Sequence, residues 1–206
     1  MRIALVRHGQ TNWNFEGRMQ GSRNIPLNDT GRQQARDAAE RFRSKGESWD
    51  AVIGSSLDRA AETARIMADV LEIPMLGTRD GLIERDYGEL EGMPVLEARA
   101  QFSLNGDLVG PGVESLPALV ARATAAIDAI ATEHPVGALL VATHGTFIRS
   151  FADALAGFET PRISNGDGVH IEGAPGDWRI TRLPEPRQDA PLSHPDRVGA
   201  GAPDIR

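Results

Sequence analysis

Near the N-terminus an apolar run passes directly into a polar motif, Ile3-Ala4-Leu5-Val6-Arg7-His8-Gly9-Gln10-Thr11-Asn12-Trp13-Asn14. An apolar run of this length, ended by Gly9, predicts a buried strand over Arg2 to Val6. Arg7 and His8 then stand at its C-terminal end, the edge at which ligands bind in open α/β sheets. Arginine offers a fork of donors for phosphate oxygens, and histidine offers a nucleophilic nitrogen near neutral pH. The motif therefore predicts a phosphate group that Arg7 holds and His8 attacks.

Outward from this motif, strand-like and helix-like segments alternate along the chain. Buried strands are predicted at 51–54 and 138–142, and a closing pair of strands at 168–172 and 178–183. Helices are predicted at about 32–44, capped by Asn28, Asp29 or Thr30; from Ser55 or Ser56 to about 71; at 116–133; and at 146–155. Such alternation predicts an α/β fold, a three-layer α/β/α sandwich with a mostly parallel central sheet.

Two segments differ from this pattern. Residues 84–115 are rich in Gly and Glu and show no long period, so we expect an excursion over the sheet edge that contacts substrate. Residues 184–206 hold many Pro, Gly and charged residues, which predicts an extended or mobile tail. The expected organisation is one domain over 1–183, followed by this tail.

Composition narrows the function classes. The chain of 206 residues carries a net charge of −7 and no cysteine, which excludes disulfides and thiolate metal sites. It has no basic stripe, which argues against nucleic acid as its main partner. No stretch approaches the ~20 apolar residues of a membrane span, and the first apolar run is too short for a signal peptide. We therefore expect a cytoplasmic protein with no membrane partner.

The composition also bears on the source of the chain, and less on its oligomeric state. Only one of the 22 basic residues is a lysine, a bias typical of GC-rich bacterial genomes. The sequence permits a homodimer but contains no pattern that predicts an oligomeric state.

Two further positions repeat the arrangement of the opening motif. Arg59 falls in the first turn of the helix after the second buried strand, where the helix N-terminus favours anions. His144 ends the third buried strand and is followed by Gly145, as His8 is by Gly9. Taken alone, Arg59 is more typical of a solvated helix charge and His144 of a structural or exposed histidine. Together with the opening motif, they predict that these side chains converge on one ligand.

Other candidates remain open from the residues alone. Glu84, Asp86, Glu89 and Glu91 lie in one charge-rich stretch, and periodicity does not choose among them. Ser115 reads best as the N-cap of the long helix. We expect no catalytic role for the remaining histidines, which are His134, His170 and His194.

The run from Arg7 to Asn14 resembles the signature of the histidine phosphatase superfamily, in its phosphoglycerate mutase-like branch. The acid phosphatase and phytase branch fits less well, because it has Arg and Pro where this chain has Thr11 and Asn14. Further similar segments are 17–21, 57–64, 82–92 and 141–145, so that the resemblance covers roughly residues 2–183. The chain departs from the family pattern at Asn24, where Asp is common, and at Thr143, where Ser is common.

The resemblance implies roles for particular residues. Arg59 is the second phosphate-binding arginine, His144 the second histidine, and Glu84 the acid, because it precedes the Tyr-Gly step. It also implies that the substrate contacts include Arg7, Arg59, His144 and the residues Asn14, Gln20, Gly21 and Gly145.

We hypothesise a phosphatase that acts on a small-molecule phosphate ester. His8 becomes a phosphohistidine, and a backbone carbonyl fixes the tautomer of its ring. Arg7, Arg59 and His144 stabilise the phosphoryl group. Glu84 moves the proton to the leaving group. We expect neither a metal ion nor a cofactor.

Two alternatives stand beside this hypothesis. A cofactor-dependent phosphoglycerate mutase needs to bind a second acidic group, yet residues 86–115 are rich in acids and contain only one cation, Arg99. That composition favours a monophosphate whose remainder is neutral or weakly acidic. A catalytically inactive phosphoester-binding module would be expected to have lost one of the five catalytic candidates, and none is missing.

Overall fold

The computed structural model describes residues 1–135 and 137–184. The predicted tail, apart from Pro184, lies outside the described residues, as does His194. None of the helices in the described ranges is long and apolar enough to cross a bilayer.

Eight strands are present in the described ranges. They are β1 (Arg2–Arg7), β2 (Ala51–Ser55), β3 (Met75–Arg79), β4 (Ser103–Leu104), β5 (Asp107–Leu108), β6 (Ala138–Thr143), β7 (Gly168–Ala174) and β8 (Asp177–Arg182). Six of them form one sheet in the order β3-β2-β6-β1-β7-β8. Its first four strands are parallel, whereas β7 and β8 pair antiparallel. The mostly parallel sheet is as predicted.

Six α-helices accompany the strands in the same described ranges. They are α1 (Asn12–Phe15), α2 (Asp29–Ser44), α3 (Asp58–Leu71), α4 (Val95–Phe102), α5 (Leu116–Glu133) and α6 (Gly145–Ala156). Asn28 caps α2 by accepting from the N–H of Gly31, and Ser115 caps α5 by accepting from the N–H of Ala118. Both caps confirm the predictions for these positions.

The three layers follow from alternation along the buried strands. In β1, Ile3 and Leu5 pack in one core with α5 and α6, whereas Ala4 and Val6 pack in a second core with α2 and α3. Successive side chains of a strand point to opposite faces of the sheet. A strand buried on both faces therefore reads as a continuous apolar run.

The register of β1 and β6 positions the site. The two strands are parallel, and Arg7 lies opposite Thr143. The N–H of His8 donates to the carbonyl oxygen of Thr143 at 2.9 Å. As a result, the residues that follow the two strands, His8 and His144, come to the same edge of the sheet.

Three features differ from the sequence-based expectations. The edge strand β3 was missed, because it is short and half-exposed and offers no apolar run. The excursion contains α4 and the β4–β5 hairpin, which close over a small separate apolar cluster around Tyr87 and Leu90. Helix α3 begins after Leu57, so neither Ser55 nor Ser56 caps it.

Candidate active site

A cavity of about 110 Å³ opens at the edge of the sheet where β1 and β6 end. Most of the predicted site residues line it, namely Arg7, His8, Asn14, Gln20, Gly21, Arg59, Glu84 and Gly145. The predicted residue that does not line the cavity is His144, which is fully buried.

The ring of His8 is held in one tautomer. Its Nδ1 lies 2.6 Å from the carbonyl oxygen of Gly9, which can only accept, so Nδ1 carries the proton. On the other side of the ring, the Nε of Arg59 donates to Nε2 at 3.2 Å. Nε2 therefore carries the lone pair of the ring and accepts from Arg59 through it. The carbonyl that we expected from the sequence is that of Gly9.

Arg59 is buried and anchored through its fork. Its Nη1 donates to the carbonyl oxygen of Arg23 and its Nη2 to that of Gly21, both at 2.7 Å. Burial lowers the pKa of Arg59 to about 10, an effect that the neighbouring carboxylate of Glu84 partly offsets. The guanidinium is consequently charged at neutral pH.

Arg7 approaches the same cavity from the end of β1. Its Nη1 donates to the carbonyl oxygen of Ile163 at 2.8 Å. Helix α6 can come this close because it begins with Gly145, where an added Cβ would lie 3.2 Å from the Nε of Arg7. The glycine therefore leaves the space in which the guanidinium lies.

His144 packs behind His8, with ring centroids 5.1 Å apart. The Oγ of Ser55 accepts from the N–H of Leu57 at 3.3 Å and lies within hydrogen-bond distance of Nε2 of His144, at 2.9 Å. Nδ1 of His144 is buried and has no partner among the described residues. Burial, and then the positive charge of Arg59, lower the pKa of His144 well below its ordinary value, so this ring is neutral. A buried polar atom without a partner costs free energy, so Nδ1 of His144 is a candidate contact for a bound group.

Glu84 caps helix α6. Its Oε2 accepts from the N–H of Thr146 at 3.1 Å, and its Oε1 accepts from the N–H groups of Phe147 and Arg85, both at 2.9 Å. The first N–H groups of a helix lack partners within it and favour a negative charge. The carboxyl group is thereby fixed in the wall of the cavity.

The other acids of this stretch have different positions. Asp86 and Glu89 are exposed and do not line the cavity. The side chain of Glu91 is only 3% exposed; it accepts from the backbone N–H of Ser22 at 2.6 Å and pairs with Arg23 at 3.3 Å. It braces the loop that follows Gly21. The geometry therefore brings Glu84 to the cavity, a choice that the spacing of the acids left open.

The predicted substrate contacts form a small network. The Oγ1 of Thr11 accepts from the N–H of Asn14 at 3.1 Å and donates to the Oε1 of Gln20 at 2.7 Å. Because Oε1 of Gln20 is engaged, its amide NH₂ is the end available to a ligand. Gly21 contributes its carbonyl to Arg59, as described above.

The acidic composition of residues 86–115 does not extend to the lining of the cavity. Two acids of this segment form ion pairs with arginines that do not line the cavity. Asp107 binds Arg85 through both oxygens at 2.6 and 3.1 Å, and Glu114 binds Arg122 at 2.7 and 2.9 Å. Glu84 is the only carboxylate among the described residues that line the cavity. Four arginines that the sequence reasoning did not assign also line it, namely Arg18, Arg99, Arg149 and Arg162.

A sequence signal existed for some of the missed residues. Arg149 lies four residues after Gly145, hence on the same face of α6. Arg18 lies two residues before Gln20. Ser55 was assigned to a helix cap, and only the pairing of β2 with β6 brings it to His144.

Comparisons with known proteins show the family to which this chain belongs. The family model for the histidine phosphatase superfamily (branch 1) matches residues 3–186. An uncharacterized phosphatase, PhoE, of Bacillus subtilis is 35% identical over 182 residues, which cover 86% of this chain and 91% of that protein. A 2,3-bisphosphoglycerate-dependent phosphoglycerate mutase of Methylobacterium sp. is 35% identical over 173 residues, which cover 78% of this chain and 83% of that protein.

A solved structure shows the same architecture. The protein YhfR of Bacillus stearothermophilus superposes with a TM-score of 0.76 at 26% identity, over 87% of this chain and 95% of that one. The α/β sandwich therefore agrees with an experimentally determined relative across nearly its whole length.

Proposed function

Since the chain belongs to the histidine phosphatase superfamily, branch 1, we propose that it hydrolyses small phosphomonoesters through a phosphohistidine on His8. The observation that carries this proposal is the state of the His8 ring. Gly9 holds the proton on Nδ1, and Nε2 keeps its lone pair beside the guanidinium of Arg59. A histidine nucleophile needs both conditions at neutral pH.

The first step transfers the phosphoryl group to the protein. The lone pair of Nε2 forms a P–N bond as the ester P–O bond breaks, and Glu84 in its acid form donates its proton to the departing oxygen. Negative charge spreads over the equatorial oxygens in the transition state. Arg7 and Arg59 line the cavity and can stabilise that charge, and we assign a supporting role to His144, whose ring packs against that of His8.

The second step returns His8 to its starting state. Glu84 takes a proton from a water molecule, whose oxygen attacks phosphorus as the P–N bond breaks. The electron pair returns to Nε2, and orthophosphate leaves. One carboxyl group thus serves as acid and then as base, as general acid–base catalysis allows.

The test is capture of the intermediate. Brief reaction with a ³²P-labelled phosphomonoester, followed by alkaline quench, should label the wild-type protein with an acid-labile, alkali-stable phosphate. His8→Ala should lose both the label and phosphate release, whereas His134→Ala should keep both. Phosphate release by His8→Ala at the wild-type rate would overturn the proposal. So would binding of a phosphoester without any release by the wild type, which would indicate a binding module instead.

We also propose that the cations of the reaction are arginines and that no metal ion takes part. Dialysis against EDTA should then leave kcat unchanged, and added Mg²⁺ or Zn²⁺ should not raise it. A loss of activity that a metal ion restores would contradict this part of the proposal.

A phosphoglycerate mutase is the second candidate, and the arginine-lined cavity favours it. A mutase must bind an acidic substrate and also keep water from the phosphohistidine. The side chain of Arg18 at the cavity is 44% exposed. Because this part of the cavity is open to solvent, water can reach the phosphohistidine, which favours hydrolysis. Incubation with 3-phosphoglycerate and 2,3-bisphosphoglycerate distinguishes the two activities. Isomerisation as fast as phosphate release would make the mutase the better assignment.

A further inference from the structure

We infer that a second cavity, between helix α2 and the strands β7 and β8, binds a small oxyanion, a phosphate or a carboxylate. This anion cavity has a volume of about 260 Å³. Its charged and polar side chains are those of Arg41, Lys45, Asp167, His170 and Arg182. None of these residues lines the active-site cavity, so binding here is independent of the proposed phosphatase reaction.

His170 forms the buried part of the anion cavity. It lies on β7 and is only 7% exposed. Its ring packs against the rings of Phe42 and Trp49, with centroids 5.8 and 5.7 Å away. Within residues 1–135 and 137–184 no group hydrogen-bonds its ring nitrogens. Because buried polar side chains in proteins are normally hydrogen-bonded, the ring offers a donor to whatever occupies the cavity.

At pH 7 the His170 ring is neutral. Burial, and then the charge of Arg182, lower its pKa to about 4, so that one ring nitrogen carries a proton and the other a lone pair. The N–H is the group that donates to an anion. The charged groups that act on the ring or share its cavity are Arg2 on β1, Arg41, Lys45 and Glu47 at the end of α2, Asp167 before β7 and Arg182 on β8.

Three exposed cations surround the mouth of the cavity. Lys45 has no acid partner among the described residues. Arg41 lies 3.6 Å from Asp167, and Arg182 pairs with Glu47 at 2.7 Å. Both arginines make these contacts through Nη2, which leaves donors on Nε and Nη1 for a ligand. Lys45 and the two guanidinium groups can therefore bind an anion that His170 contacts from below.

One wall of the cavity is fixed by the main chain. The N–H of Gly166 donates to the carbonyl oxygen of Arg7 at 2.9 Å, and the N–H of Arg7 donates to that of Asp167 at 2.8 Å. Nη2 of Arg41 donates to the carbonyl oxygen of Gly166 at 2.7 Å. Gly166 has a φ of +75°, and an added Cβ would lie 3.1 Å from the carbonyl oxygen of Gln34. A wall held in this way exists before a ligand binds, which lowers the entropic cost of binding.

The volume and the lining together define the class of ligand. About 260 Å³ is just below the ~300–1,000 Å³ of sites for drug-sized ligands, so a compact anion fits. An imidazole N–H, an ammonium group and guanidinium groups are donors suited to the oxygens of phosphates and carboxylates. Asp167 is the one acid among the described lining residues, against three cations, and this balance disfavours a cationic ligand.

Water alone is the alternative occupant. Ordered water satisfies buried polar groups in many proteins. A cavity that holds only water has no saturable response to an anion at constant ionic strength. An anion site saturates, and its affinity depends on the cations at its mouth.

The experiment follows the His170 ring by NMR. The ¹⁵N-labelled full-length chain is titrated at pH 7 and constant ionic strength with inorganic phosphate and, separately, with citrate. His170→Gln identifies the His170 signals by their absence. We expect these signals to shift saturably with at least one anion, with half-saturation on the order of 1 mM, the affinity of a few charge-assisted contacts. No saturable shift with either anion would overturn the inference and indicate water only.

Phosphate also binds in the active site under the proposed function, so a variant has to locate the response. Lys45→Glu reverses an exposed charge without breaking an ion pair among the described residues. It should raise the half-saturating concentration for the His170 shift by about tenfold, the size of one charge-assisted contact. Any response of His8 and His144 should be unchanged.

The matched control is Arg43→Glu. Arg43 lies in the last turn of α2 with its side chain 49% exposed, and it does not line the anion cavity. It makes the same reversal of charge and should leave the half-saturating concentration within about twofold of the wild type. An undiminished His170 response in Lys45→Glu would overturn the inference, because the shift would then originate elsewhere. Neither result depends on phosphate release, so a failure of the proposed function leaves this test intact.

Discussion

The Nε of Arg59 donates a hydrogen bond of 3.2 Å to Nε2 of His8. The same arginine is fixed by the carbonyl oxygens of Gly21 and Arg23. Its position therefore depends on the loop after Gln20 as well as on its own helix. In the proposed reaction Nε2 exchanges this donor for phosphorus, while the guanidinium remains beside the transferred group.

Arg59→Lys tests whether the fork matters beyond its charge. Lysine keeps the positive charge but cannot hold both carbonyl oxygens while also reaching His8. We expect kcat to fall by about 100-fold, the scale for loss of a fixed transition-state donor. Steady-state kinetics at pH 7 measures this. Arg65→Lys is the control, since Arg65 lies on α3 with its side chain 59% exposed. Activity of Arg59→Lys within about threefold of the wild type would contradict the assigned role.

Glu84→Gln removes the proton that the proposal assigns to the leaving group. Turnover of an alkyl phosphate should fall by about 10²- to 10⁴-fold. Hydrolysis of p-nitrophenyl phosphate should fall much less in the first step, because p-nitrophenolate leaves without a proton. Burst kinetics with both substrates separates the two steps.

The same variant also changes the cap of α6. The carboxylate accepts three backbone N–H bonds, and an amide replaces one acceptor oxygen by a donor. We expect a loss of about 1–2 kcal/mol in the free energy of unfolding. A urea titration shows whether the variant is still folded at the assay temperature. An equal loss of turnover on both substrates by a folded variant would argue against a proton donor.

Ser55→Ala tests the second histidine through its partner. The hydroxyl lies 2.9 Å from Nε2 of His144, and the hypothesis under test is that it donates to this nitrogen, so that Nδ1 carries the ring proton. Without it we expect a mixture of tautomers and a fall in kcat of about tenfold. ¹⁵N chemical shifts of the His144 ring report the tautomer directly. Ser56→Ala is the matched control, since it removes the neighbouring hydroxyl while the partner of His144 is the hydroxyl of Ser55. An unchanged ring spectrum in Ser55→Ala would refute the assignment.

His170 should make stability depend on pH. Burial, and then the charge of Arg182, lower its pKa to about 4, although Glu47 acts in the opposite direction. The unfolded chain binds the proton near pH 6.5 and the folded chain only near pH 4. Above pH 6.5 the shift does not affect the free energy of unfolding. As pH falls from 6.5 to 4, the shift lowers that free energy, by on the order of 2 kcal/mol.

His170→Gln removes that contribution. The free energy of unfolding, measured in urea at pH 7, 5.5 and 4.5, should fall less steeply for the variant than for the wild type. Part of the slope will remain, since the pKa of His144 is also lowered. Parallel curves for the two proteins would show that His170 titrates alike in the folded and unfolded chains.

Local patterns predicted the central elements well and the edges poorly. The apolar runs of β1, β2 and β6 are visible in sequence because these strands are buried on both faces. β3 lies at the edge of the sheet and is half-exposed, so it leaves no such run. Helix α4 spans eight residues, of which only Val95 and Ala98 are buried. Its apolar period is accordingly too short to detect.

The sequence by itself determined which residues stand at the strand and helix ends, because such positions depend on local apolar runs and on the residues that stop them. Arg7, His8, Arg59 and His144 were found in this way. The family resemblance singled out Glu84 among the neighbouring acids, and the tertiary structure shows how it reaches the cavity, by accepting from the first N–H groups of α6. Only the structure decided that Asp107 pairs with Arg85. Only the structure brought Arg149 and Arg162 beside Arg99. Whether charged residues far apart in sequence form ion pairs or line one cavity depends on how the layers pack. The composition of a segment does not predict that packing.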